Sequence, residues 1–252
     1  MNSEQKTKLG SNTAKAGFRN EQDVVDHFNN WKNDPLAKEW LITMGYNLDK
    51  IEFIKAAKIN KRFKTDVQIQ VQIIIKQKEE IDCQNLQVKL VSNPHGFNQI
   101  DKRWVKNYAE LWNIDPATTQ LLKHFTGELP PYVKNPRDPR RMFADEFSDK
   151  DRNILLEFFK KNKSIIVTDI LKGQGEFSAD WMLIILKNGN NKMKWALKPM
   201  KQILNFFDGE VLISPKNSFK IGKITIQRKG GDGGRQTANM LQFKINPALL
   251  VD

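Results

Sequence analysis

The chain has 252 residues, 39% of them apolar, enough to bury a core in one large domain or two small ones. Lys and Arg number 41 against 29 Asp and Glu, and the net charge of +12 points to a polyanionic partner, nucleic acid or an anionic membrane surface. The longest apolar run, Trp181 to Leu186, is too short to cross a bilayer, the opening MNSEQKTKLGS lacks a signal peptide's apolar core, and the lone Cys83 excludes an intramolecular disulfide or a multi-cysteine zinc site.

Residues 12–32 read as a helix in which Phe18, Val25 and Phe28 form an apolar stripe, with Ser11 or Asn12 as its cap. Glu21 falls inside that stripe, where a charge is costly unless paired, metal-bound or left on a wet edge. Asp34-Pro35 starts a second helix and Gly45 ends it. From Asp66 to Lys76 the pattern alternates, with Val67, Ile69, Val71, Ile73 and Ile75 on one face and Asp66, Gln68, Gln70 and Gln72 on the other, which predicts a strand. Lys76 to Glu80 is the turn. On the returning strand Leu86, Val88 and Leu90 alternate with Gln87 and Lys89.

Helices are expected at 99–113, at 116–126 behind Asp115-Pro116, and at 149–162 behind the cap Ser148. The last third reads as strands at 164–171, 181–187, 210–214, 221–228 and 239–246, with a short helix near 200–207. The fold class is therefore α/β (α+β), a central mixed β-sheet flanked by helices.

A hairpin with its turn near Lys78 pairs residues whose numbers sum to about 156, which sets Asp66 opposite the Lys89–Leu90 region. Gln87 and Lys89, two apart, share a face. Asp66, Gln87 and Lys89 then converge at one end of the hairpin. A carboxylate and an amide oxygen suit Mg²⁺, a hard cation, and an ammonium beside them can polarise a water or offset a developing oxyanion. Spacing alone leaves an incidental D…QxK open.

The arrangement resembles the PD-(D/E)xK nuclease pattern with two departures, Thr65 in place of Pro and Gln87 in place of an acid. A neutral amide lowers metal affinity unless Glu21 supplies the missing carboxylate. Nearly the whole chain resembles the small type II restriction endonucleases of the HinP-one-I kind, which cut GCGC. The stretches that carry this are GFRNEQD (17–23), LQVKLVSN (86–93), GFNQIDK (96–102), HFTGELPPY (124–132), TDILKGQGEF (168–177) and TIQRKGGDGGRQTANMLQFKI (225–245). The resemblance implies a restriction-endonuclease-like core in which Gln in the acidic position is a shared trait. It also implies Mg²⁺-dependent hydrolysis of double-stranded DNA, after the first G of GCGC.

Lys216 to Lys244 holds seven basic residues and one acid, Asp232, around the glycine-rich Arg228-Lys-Gly-Gly-Asp-Gly-Gly-Arg235. Arg suits guanine edges and Gln or Asn suits adenine, so Arg228, Lys229, Arg235, Gln236, Asn239, Gln242 and Lys244 are candidate DNA contacts, against the plainer reading of a solvated hairpin. Gly96 lets the chain turn after the candidate catalytic strand. Phe97 beyond it is either a wedge between base steps or a core residue under the next helix, with Asn98 and Gln99 beside it.

Three other signals lead nowhere. Leu129-Pro-Pro-Tyr132 lacks the leading Asp or Asn of amino-methyltransferases, Gly173-x-Gly175 lacks a third Gly, and no P-loop occurs, so no nucleotide cofactor is expected. His27, His95 and His124 show no metal spacing.

The resulting expectation is a cytoplasmic type II restriction endonuclease, a single domain over 1–252. Residues 1–163 would be mainly the catalytic core and 164–252 mainly the β-rich DNA-recognition region. Asp66, Gln87, the Val88 carbonyl and Glu21 would hold one or two Mg²⁺ ions, and Lys89 would assist the water. The expected partner is double-stranded DNA, without a membrane. A homodimer, or two visits by one monomer, would cut both strands, and the host would carry a cognate methyltransferase. The rivals are a basic DNA- or RNA-binding module without catalysis and a repair or junction nuclease on the same core.

Overall fold

The structure, a computed structural model, describes residues 19–59, 68–75, 81–187 and 193–251. The chain forms two compact units that interleave in sequence.

The first unit comprises the described residues within 19–98, 172–203 and 246–251. Its five-stranded sheet runs β1 (Ile51–Ile59), β2 (Gln68–Ile75), β3 (Ile81–Val91), β5 (Trp181–Lys187), β6 (Met193–Pro199) in spatial order. It is mixed, since β3 pairs parallel with β5 and every other pair is antiparallel. Helix α1 occupies 19–29 and α2 Pro35–Thr43. Asp34 caps α2 as its sequence predicts, with Oδ1 accepting from Ala37 N at 3.0 Å. Val24, Val25 and Phe28 of α1 and Trp40 and Leu41 of α2 pack with Leu86, Val88, Leu183 and Ile185 in one apolar cluster. Two bonds of the Asn29 amide to the backbone of Ala56 fix α1 to β1.

Within the described residues, the second unit comprises Gln99–Leu171 and Leu204–Ile245. Its sheet runs β4 (Asn98–Arg103), β10 (Leu241–Ile245), β9 (Ile224–Arg228), β8 (Phe219–Ile221), β7 (Val211–Ile213). Helices α3 (Val105–Trp112), α4 (Pro116–Thr126) and α5 (Asp149–Leu171) belong to it. Phe125, Phe159, Phe219 and Phe243 are fully buried there. α6 (Met200–Phe207) lies where the expected short helix was read.

Several expectations are corrected. β1 and β6 were not foreseen. Residues 98–103 form a strand, not the start of a helix, because tertiary pairing places them beside β10. Residues 164–171 are not a strand but the end of α5, whose buried Phe158, Phe159, Ile166, Val167, Ile170 and Leu171 keep helical spacing despite β-branched residues. Residues 221–228 are not one strand either. β8 and β9 turn on Gly222, where an added Cβ would come within 2.5 Å of Phe207 O.

Candidate functional site

In the first unit, the β2–β3 ladder pairs Gln68 with Gln87 and Ile69 with Leu86, so partner numbers sum to 155, one less than expected. Asp66 lies outside the described residues, two before Gln68 in the chain. β3 is the middle strand of its sheet. Gln87 and Lys89 face the same side, next to Met182 and Ile184 of β5. Neither is on a wet face, for they are 2% and 6% exposed, and Asn85 to Lys89 is buried without interruption. An amide and an ammonium held in the interior of a sheet are costly and call for partners. Leu86 and Val88 alternate to the α1 side and fill the apolar cluster. Upstream, Asn85 N donates to Asp180 Oδ2 at 2.9 Å and its side chain donates to Glu176 O and Ser178 O, which fixes the strand just before Gln87.

Glu21, on α1, has Lys58 of β1 at 4.0 Å. Register aligns Lys58 with Ile69 and Ile69 with Leu86, one residue out of phase with Gln87. The Lys58 partner of Glu21 thus lies on the Leu86 row. Among the described residues no cluster of three His, Cys, Asp or Glu could hold a metal. The oxygen donors at hand, the Gln87 amide, the Val88 carbonyl and the Glu21 carboxylate, are all of the hard type that fits Mg²⁺ rather than a soft metal.

After β3, Gly96 N closes a turn on Asn93 O at 2.8 Å. Phe97 projects from it, 55% exposed, which rules out a core residue. Asn98 donates Nδ2 to Leu90 O at 3.0 Å, so this amide braces the strand end beside Lys89.

In the second unit, a cleft of about 660 Å³ gathers Arg228, Arg235, Gln236 and Asn239 from the candidate list. The loop between β9 and β10 has Gly230 and Gly231 both at φ 64, with nothing within 4 Å of an added Cβ, so backbone conformation and not packing demands glycine there. Arg228 donates from Nε at 3.1 Å and Nη2 at 2.7 Å to Asn239 Oδ1. Burial, then the like charge of Arg140, pushes the Arg228 pKa down. Lys229 lies next in the loop and donates N to Met240 O at 2.9 Å.

Gln242 and Lys244 do not join this cleft. On β10 they pair with Gln227 and Thr225, on the face opposite to the Leu241–Arg228 pair. Gln242, 4% exposed, donates Nε2 to Gln99 Oε1 at 2.7 Å, and burial lowers the Lys244 pKa. Their candidate partners in DNA would have to approach from that other side.

The sequence reading missed the far wall of the cleft, formed by Gly127, Glu128, Pro130, Pro139 and Arg140. Part of it lies in the stretch HFTGELPPY (124–132), which carried the family resemblance but was given no DNA-contact role. His124 and Tyr132 of that stretch meet edge to face, with ring centres 5.0 Å apart.

The family model described as R.HinP1I restriction endonuclease matches residues 44–251. That span includes Asp66, Gln87, Lys89 and Phe97 but not Glu21. No curated protein matches the chain. Among solved structures, the chain is similar to restriction endonuclease MspI, crystallised with its cognate DNA, at a TM-score of 0.61 and 14% identity, covering 94% of this chain and 92% of that one. At that identity the likeness speaks to the fold, and it agrees with the mixed α+β architecture.

Proposed function

Because the chain belongs to the R.HinP1I restriction endonuclease family and is thereby a site-specific restriction endonuclease, we propose that it cuts double-stranded DNA at GCGC, after the first G, with Mg²⁺. The observation that carries the chemistry is the buried pair Gln87 and Lys89 on one face of the middle strand of a mixed sheet. Asp66, the Gln87 side chain and the Val88 carbonyl would hold the ion, with Glu21 as a donor to a second one. When bound, such an ion supplies positive charge beside the phosphate and lowers the pKa of water. Lys89 orients the attacking water and offsets charge on the phosphate oxygens as a new P–O bond forms and the bond to the sugar oxygen breaks. The sheet interior keeps both groups out of bulk solvent, which strengthens their field.

The partner is double-stranded DNA, in line with the cognate-DNA complex of the MspI relative. Either a homodimer or successive visits would cut both strands, and a host methyltransferase would protect the same site. No helix among the described residues is long and apolar enough to cross a membrane, and a cytoplasmic setting follows from the DNA substrate.

The test is to incubate plasmid with the protein and Mg²⁺, with and without EDTA, and to sequence the fragment ends. Discrete ends within GCGC that vanish with EDTA are expected. Smeared products would support a non-specific repair or junction nuclease, and a shifted but intact band would leave a binding module.

A further inference from the structure

We propose that the turn Asp138–Arg141 is a DNA-phosphate clamp held shut by its own aspartate, with Arg140 gripping a backbone phosphate in the place that the Asp138 carboxylate occupies. The proposal rests on the DNA-cleaving reading above.

Arg140 lines the same cleft as Arg228 and Arg235, from the opposite wall. Its Nε and Nη2 donate to Asp138 Oδ1 at 2.8 Å and Oδ2 at 2.9 Å. Two oxygens in the plane of a guanidinium fork are the arrangement that a phosphate also presents, so the carboxylate stands in for one. The Arg140 side chain is 68% exposed although the Asp138 side chain is only 14% exposed, so the guanidinium end of the pair is open to a competing anion from solvent.

Positive charge is in excess around it. Arg141 reaches the same carboxylate at 3.9 Å. Burial and then the charge of Arg228 lower the Arg141 pKa, and Arg140 in turn acts as a like charge on Arg228. A phosphate would relieve that repulsion, which Asp138, shared between two arginines, and Glu146 beside Arg141 do not fully offset.

The clamp is also rigidly mounted. Arg140 N donates to Asp138 Oδ1 at 3.0 Å and Met142 N to His124 O at 2.8 Å. Gly127, at φ 87, ends α4 so close to the turn that an added Cβ would lie 2.5 Å from Arg140 O. Arg140 therefore sits exposed at the rim, whereas Arg228 is half-buried and oriented by Asn239. The rim position favours phosphate, which positions the duplex, over a base edge, which specifies it.

The experiment measures binding of labelled duplexes with and without the cleaved tetranucleotide, in Ca²⁺ and across a series of KCl concentrations. Arg140→Ala should weaken both duplexes by the same factor and reduce the slope of log K against log[salt] by about 1. Asp138→Asn keeps the acceptor for Arg140 N but removes the charge, and it should tighten both. The double variant should match Arg140→Ala alone. An Arg140→Ala protein with unchanged affinity and slope, or a loss confined to the cognate duplex, overturns the clamp. Tightening by Asp138→Asn that survives without Arg140 overturns the latch. Failure of the wild-type protein to bind either duplex would instead overturn the DNA-cleaving reading itself.

Discussion

One oxygen of Asn239, Oδ1, accepts both Nε and Nη2 of Arg228, at 3.1 and 2.7 Å. With Nε–H and one Nη2–H on Asn239 Oδ1, Arg228 keeps its second Nη2–H and both Nη1 protons with which to reach into the cleft. Asn239 thereby positions Arg228, and its replacement tests that role. Asn239→Ala frees the guanidinium to rotate. Cognate binding should fall by about 1–3 kcal/mol, the worth of one well-aligned Arg–guanine contact, while binding to unrelated duplex stays the same. Affinities for the two duplexes at one salt concentration check this, and an equal loss on both would make Arg228 a phosphate contact.

Lys89 is 6% exposed in the middle of the sheet. Lys89→Ala removes an ammonium from the proposed reacting centre and leaves the cleft residues of the second unit unchanged. Cleavage should be abolished with duplex affinity kept, and the same outcome is expected for Asp66→Ala. Glu21, whose Lys58 partner lies on the Leu86 row and which falls outside the matched family span, should behave differently. Glu21→Gln should lower the rate by less than either, and a loss as deep as theirs would bring Glu21 into the primary ion site. Single-turnover cleavage beside a binding titration separates these outcomes.

Stability in the second unit leans on a buried ionic knot. Arg103 Nη2 donates to Asp101 Oδ2 at 2.8 Å, and Nη1 lies 3.6 Å from Asp169 Oδ2. Trp112 Nε1 donates to that same Asp169 oxygen at 3.3 Å, and Tyr108, its pKa driven up by burial and then by Asp101, lies under the guanidinium. Arg103→Ala leaves two buried carboxylates without their shared cation. Such a removal costs about 3–5 kcal/mol. Urea denaturation at pH 7 should show that loss as a lower midpoint with an unchanged slope.

Asp115 caps α4 with Oδ1 accepting from Thr118 N at 3.0 Å. Hydrogen bonds from the Thr118 side chain and backbone hold its pKa below the ordinary 3.8. A depressed folded-state pKa stabilises the fold above the unfolded value, and that contribution is lost as pH falls below 3.8. Asp115→Ala should cost about 1 kcal/mol at neutral pH, as for other N-caps, and the gap to wild type should shrink in acid. Parallel melting curves at pH 7 and pH 3 check it.

Punctuated helices were the legible part of the fold. Asp34-Pro35, Asp115-Pro116 and Ser148 each open a helix by local chemistry that needs no tertiary help. β1 was not legible because a register shift between Ile51 and Phe53 breaks its alternation, and residues 164–171 misled because their β-branched side chains favour a strand while their burial follows α5. At the site, Gln87 and Lys89 could be set on one face by counting. Arg140 could not, since nothing local reports that residues 127–141 fold back to face a loop nearly ninety positions away.

Phe97 remains the sharpest test of how the duplex is held. The turn at Gly96 presents it with 55% of its surface exposed, while Asn98 bonds to Leu90 O and fixes the turn's far side. A large exposed aromatic on a braced turn contributes little to folding, so Phe97→Ala should shift stability by no more than about 0.5 kcal/mol. If it wedges between base steps, it unstacks them at a cost of a few kcal/mol that the bent duplex's added contacts repay. Phe97→Ala should then lose both the bend and most of the cleavage rate. A fluorescent base analogue in the tetranucleotide should brighten with wild-type protein, as its neighbours unstack, and stay dark with the variant. Equal brightening by both proteins would leave Phe97 a surface residue with no part in distorting the duplex.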